Sequence, residues 1–151
     1  MAEVLADSRG ATYLGFDFGE RNIGVAVGQS VTGTAAPLRT LRAQPSARLW
    51  AAISELIDQW LPAGLVVGLS HQQDGSENPI TAPTLRFCRQ LEGRYRLPVY
   101  TVDETLTTAE SRTHFYQRRR RKSVEFEQVK DEMAAQLILQ TWFSIDKASP
   151  R

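Results

Sequence analysis

One cysteine, Cys88, is all that the chain carries, which excludes an internal disulfide and a cysteine-rich zinc site and suits a reducing compartment. No stretch approaches the ~18 consecutive apolar residues that a membrane span requires. Residues 1–11 lack a basic segment followed by a long apolar run, so no signal peptide is expected. A cytoplasmic protein without a membrane partner is the expectation. Excess charge is missing too: Lys+Arg 18 against Asp+Glu 17 leaves a formal net charge of +1. Any attraction to nucleic acid must therefore come from a local patch. There is no internal repeat, and no low-complexity tract beyond one basic run. At 151 residues the chain is expected to form one domain with a real core, ordered over about residues 12–145.

What the sequence does contain is organised around Tyr13–Val27, YLGFDFGERNIGVAV. β-Prone residues flank the turn-prone Gly19-Glu20-Arg21-Asn22, which predicts an N-terminal β-hairpin. Alternation gives the first strand a large face (Leu14, Phe16, Phe18) and a small one (Tyr13, Gly15, Asp17, Gly19). Asp17 thus sits mid-strand, where Asp is disfavoured, and losing hydration there costs several kcal/mol unless a cation or hydrogen bonds compensate. The glycines on either side are expected to leave open space above the carboxylate, suiting a metal ion and a bulky anionic ligand. The alternative is an Asp that closes the hairpin through local hydrogen bonds.

Gly33–Leu41 follows as a third strand, with Pro37 at an edge or bulge. Ser46 is a suitable N-cap for a helix to about Leu61, where Leu49, Ile53, Leu56, Ile57 and Trp60 recur at spacings of three and four. Leu65-Val66-Val67-Gly68-Leu69 reads as a strand covered on both faces. A polar loop, Ser70–Pro79, leaves its carboxyl end, where open α/β sheets commonly bind ligands. A helix is expected over Ile80–Tyr95, regular only after Pro83. A strand over Leu97–Val102 ends in Asp103-Glu104, a short helix follows to about Tyr116 with Thr107 and Glu110 as a capping box, and a last helix covers Val124–Phe143. Strands alternating with helices predict an α/β fold, a mixed central sheet with helices on both faces.

Two more carboxylates stand out. Asp131 shares a helix face with Ala134, Ala135, Ile138 and Trp142, so an acid occupies a core-facing stripe. A salt bridge to a cation such as Arg112 is the structural explanation; a functional site is the stronger one. At the strand end, Asp103 and Glu104 point to opposite faces if the strand persists, and spacing alone does not choose between them. Asp17, Glu104 and Asp131 together offer hard oxygen ligands for one or two Mg²⁺ or Mn²⁺ ions. Two such ions ~4 Å apart can activate water and stabilise the leaving oxygen of a phosphodiester, with no side-chain nucleophile.

The segments DFGERNIGVAVG, VVGLSHQQDGSENPIT, VDETLTTAESR and KDEMAAQLILQTWF occur in this order, spanning about Tyr13 to Phe143, and the chain resembles the YqgF/RuvX family of pre-16S rRNA nucleases. That resemblance implies an RNase H-like fold related to the RuvC Holliday-junction resolvases. It implies Asp17, Glu104 and Asp131 as catalytic acids and metal ligands, choosing Glu104 over Asp103. It also implies a role at the 5′ end of pre-16S rRNA in ribosome biogenesis. Two departures stand out: Thr105 where the family has Arg, and Ser70-His71-Gln72-Gln73 where it has Pro-Leu-Asn-Met. His71 is placed beside the expected site, although a lone loop histidine is usually solvated, and His114 reads as a surface residue.

The run Arg118, Arg119, Arg120, Arg121, Lys122 joins the Glu104 motif to the Asp131 helix. With Arg21 and Arg112 it is the expected nucleic-acid-binding set, its contribution falling as salt rises; the alternative is a solvated loop of like charges. Trp50, Trp60 and Trp142 fall at core spacing and read as packing. The expected partners are RNA, as pre-16S rRNA in a pre-ribosomal particle, or branched DNA, bound by a monomer or weak homodimer. Two rival functions are a non-catalytic RNA- or ribosome-binding factor and a DNA junction resolvase. An actin-like ATPase, suggested by Asp17-Phe18-Gly19, needs a second lobe that 151 residues cannot supply.

Overall fold

The computed structural model of the protein describes residues 10–69, 79–103 and 123–145, the last segment with side chains from residue 130 onward. Five strands form one sheet in the order β3-β2-β1-β4-β5. They are β1 (Thr12–Phe18), β2 (Asn22–Gln29), β3 (Thr34–Arg42), β4 (Gly64–Leu69) and β5 (Val99–Asp103). β1, β2 and β3 pair antiparallel, extending the expected hairpin into a meander. β4 pairs parallel to β1, and β5 parallel to β4. The sheet is mixed, as the alternation of elements predicts. β5 begins two residues later than expected: its first paired residue is Val99, opposite Leu65, and Pro98 contributes only its carbonyl, which accepts the Leu65 N–H at 2.9 Å.

The alternation read from β1 decides which side chains go where. Leu14, Phe16 and Ile23 face one core with Leu65, Val67 and Val99, covered by α1 (Ser46–Trp60) and α2 (Thr81–Tyr95). Leu49, Trp50, Ile53 and Leu56 of α1 and Phe87, Cys88 and Leu91 of α2 fill it. Ala26, Val66 and Val102 face a second core under α3 (Ser123–Ser144), packed by Ala135, Ile138, Leu139 and Trp142. β4 is buried on both faces, which is why it reads as an unbroken apolar run. All three tryptophans are accounted for as packing: Trp50 and Trp142 are buried, and Trp60 lies against the first core.

Two helix starts differ from expectation. Ser46 does not cap α1; Pro45 holds the cap position and no side chain bonds the free amides. Pro83 lies inside α2 rather than before it. It sits in the first turn, where backbone N–H groups have no helical acceptor and a missing one costs nothing. At its other end α1 stops at Leu61, in the left-handed region at φ 47°. On the sheet edge, register jumps from Val25↔Arg39 to Ala26↔Pro37, leaving Leu38 as a bulge beside the proline. An edge strand interrupted in this way resists pairing with another chain.

Candidate active site

Asp17 is the last residue but one of β1 and is half-buried on the face that α3 covers. Its direct partner across the antiparallel pair is Gly24 of β2, and Gly24 in turn opposes Thr40 of β3. Directly opposed residues share a face. Asp17, Gly24 and Thr40 therefore form a row across three strands. Asp131 lies over the middle of this row: a Cβ built on Gly24 would collide with the carbonyl oxygen of Asp131. Helix backbone thus touches sheet backbone at one glycine. Opposed Cα atoms are ~5 Å apart in such a pair, so the Asp131 carbonyl lies over the strand next to Asp17.

The rest of α3 continues the same fit. Asp131 is half-buried at one end of the stripe whose later members, Ala134, Ala135, Ile138 and Trp142, are buried. Trp142 stacks between Tyr13 and Tyr100, with ring centroids 4.8 and 4.9 Å away. Gln136, 4% exposed, donates from Nε2 to the Ala35 carbonyl at 2.8 Å, tying the helix to the edge strand. The small face of β1 is consequently not open where Gly15 lies. A Cβ there would come within 3.0 Å of Leu139 Cβ and 3.2 Å of the Ala135 carbonyl. The expectation of empty space on that side of Asp17 is corrected: the glycine admits a helix, not a ligand.

Glu132 adds a carboxylate that sequence reasoning passed over. Thr40 donates from Oγ1 to Glu132 Oε2 at 3.3 Å. Burial raises the Glu132 pKa; the Thr40 hydrogen bond opposes that rise and the Asp131 carboxylate adds to it. Gly24 was also legible in principle, since Gly24, Ala26 and Gly28 form a small-residue stripe of period two that matches the alanines of α3.

Asp103 is excluded from this face. Tyr100 and Val102 pack under α3 whereas Val99 belongs to the other core, so alternation sends Asp103 to the side of α1 and α2. Arg21 is exposed in the turn between β1 and β2, at the same end of the sheet as Asp17. Glu104, Arg112 and the run Arg118, Arg119, Arg120, Arg121 and Lys122 lie outside the described residues, as do His71, Thr105 and His114. Among the described residues no group of three or more His, Cys, Asp and Glu is poised to hold a metal ion, and no helix is long and apolar enough to cross a membrane. Cys88 is fully buried in the first core and offers no nucleophile to this face.

The family model of RuvX, described as a Holliday junction resolvase, matches residues 11–145. The chain belongs to the RuvX family. A relative from Methylococcus capsulatus is 99% identical over 151 residues, covering 100% of both chains, and carries the name "Putative pre-16S rRNA nuclease". One from Methylobacillus flagellatus with the same name is 46% identical over 147 residues, 95% of this chain and 97% of its own. Among solved structures, RuvC of T. thermophilus in complex with Holliday junction substrate superposes with a TM-score of 0.64 at 16% identity, covering 93% of this chain and 99% of that one. A second Thermus thermophilus RuvC structure gives 0.58 at 14% identity, covering 87% and 93%. These likenesses establish the RNase H-like fold for this RuvX member. In it, Asp17 pairs with Gly24, and the Asp131 carbonyl of α3 lies against that glycine.

Proposed function

We propose that the protein is a divalent-metal-dependent nuclease that hydrolyses phosphodiester bonds in RNA at the 5′ end of pre-16S rRNA. The observation that supports this reading is that the backbone of Asp131 in α3 packs on Gly24, the residue paired with Asp17, so two acids stand on rigid elements at one end of the sheet. The names of the relatives supply the substrate.

The donor set fits Mg²⁺ or Mn²⁺, which take carboxylate oxygens. Asp17 and Asp131 would hold the ion, with Glu104 as the proposed third ligand. A bound divalent ion supplies positive charge that polarises water and the scissile phosphate. The chain itself does the positioning. β1 fixes Asp17 by pairing on both sides just before it, at Phe16 with Val25 and Val67. Gly24 sets how close Asp131 comes. The cations Arg21, Arg112 and Arg118–Lys122 are proposed to hold the nucleic-acid backbone against this acidic centre.

The test is Asp17→Asn, assayed on precursor RNA and on four-way DNA side by side with Mg²⁺ and Mn²⁺. Losing a ligand and one phosphate-repelling charge should lower RNA cleavage by a factor of roughly 100 or more, while RNA affinity in metal-free buffer holds or rises. Equal cleavage by the variant overturns the metal-site reading. Wild-type cleavage of four-way DNA alone moves the assignment to a junction resolvase. Binding without any cleavage moves it to a non-catalytic RNA-binding factor.

A further inference from the structure

The row of the sheet next to Asp17–Gly24–Thr40 carries a feature of opposite charge. Asn22 opposes Arg42 one pleat nearer the open end of the sheet, on the same face as the acids. Arg21 precedes Asn22, and its carbonyl accepts the Ala43 N–H at 2.8 Å, which fixes the turn against the end of β3. Glu20, Arg21, Asn22, Arg42 and Gln44 line a cavity of about 380 Å³ there. Both arginines are exposed, and among the described residues neither is held in an ion pair. With Glu20 on the wall the cavity carries a formal charge of +1, the complement of one phosphodiester. Two strand spacings across and two residues along put the Arg42 Cα roughly 12 Å from that of Asp17.

We propose that Arg21 and Arg42, aided by the Asn22 and Gln44 amides, form a notch that binds a backbone phosphate flanking the scissile one. The inference rests on the nuclease reading for the location of the scissile bond, but the notch is a binding site in its own right. A molecule of net charge +1 with carboxylates at its reactive centre repels nucleic acid there, so neighbouring cations must supply the attraction. Guanidinium forks match phosphate oxygens in geometry, and side-chain amides donate to them. The notch meets the phosphate and no base edge, so it serves RNA and DNA backbones alike.

The test measures affinity for a short fluorescein-labelled single-stranded RNA, and for a four-way DNA junction, in EDTA across a salt series. Arg42→Ala should weaken RNA binding about 5-fold at low salt, and Arg21→Ala with Arg42→Ala about 10- to 30-fold, each arginine lowering the salt slope by about one. Arg42→Lys should recover most of the slope. Cleavage at sub-saturating RNA should fall in step with the lost affinity. An unchanged salt slope in the folded double variant, checked by circular dichroism, overturns the notch even if the wild type cleaves. A reduced slope in a protein that cleaves nothing upholds the notch and rejects the nuclease reading. No binding of either nucleic acid by the wild type overturns the notch.

Discussion

The carbonyl oxygen of Asp131 occupies the place where a side chain at Gly24 would project. The last helix and the second strand therefore touch through backbone, and both atoms in the way are ones that cannot rotate aside. Adding a methyl group here should lift α3 off the sheet. We expect Gly24→Ala to destabilise the fold by about 3 kcal/mol, the upper part of the range for overpacking, as measured by urea unfolding. Cleavage measured under conditions where the variant is folded should fall further than stability alone explains, because Asp131 moves away from Asp17. A variant as stable and as active as the wild type would show that the helix tolerates the shift.

The Glu132 carboxyl is pushed up by burial, with Asp131 adding and the Thr40 hydroxyl subtracting. Its proton is then bound more tightly in the folded chain than in the unfolded one. That contribution to stability is fully present below the ordinary glutamate range and is lost as pH rises through the raised value. Glu132→Gln should therefore melt close to the wild type near pH 4 and above it near pH 7, with metal chelated by EDTA throughout. A variant that melts lower than the wild type at pH 7 would mean that the Thr40 contact outweighs the burial.

Trp142 wedges between Tyr13 and Tyr100 and is 5% exposed, which makes it a packing residue. Trp142→Phe should cost about 1–2 kcal/mol by losing part of a buried ring, and leave RNA affinity unchanged at temperatures where the variant is folded. Loss of affinity with unchanged stability would instead make Trp142 a platform for bases.

Leu61 ends α1 in the left-handed region while its side chain is 78% exposed, so it bears backbone strain without compensating burial. Glycine relieves that strain, at a smaller cost in unfolded-chain entropy. Leu61→Gly should stabilise the protein by about 0.5–1 kcal/mol in thermal or urea unfolding. Destabilisation of the same size would show that the exposed leucine packs.

How much of this was legible follows the range of each signal. Alternation in Leu14–Phe18 assigns Asp17 to the face opposite Phe16 and Phe18, and the spacing of Asp131, Ala135, Ile138 and Trp142 gives the buried stripe of α3; both are short-range patterns and both hold. What fills the face of Gly15 is Leu139, more than a hundred residues away, so a reading of open space was available from the sequence and a reading of contact was not. The pairing of Asn22 with Arg42 has the same origin. It depends on the register of β2 on β3, which the bulge at Leu38 shifts by one residue, and a chain read in order does not show that shift. Thr40 reaching Glu132 is likewise a product of register and helix placement together.

Among the described strands, β1 alone has an antiparallel neighbour, β2, on one flank and a parallel one, β4, on the other, and the ladders on both sides run through Leu14, Gly15 and Phe16. Amide protons locked from two directions in the middle of a sheet exchange with water only when the entire molecule comes apart. Hydrogen-exchange protection should therefore peak in the segment that leads into Asp17. One of the proposed metal ligands would then belong to the slowest-opening part of the protein, and would survive the partial openings that let a long helix breathe.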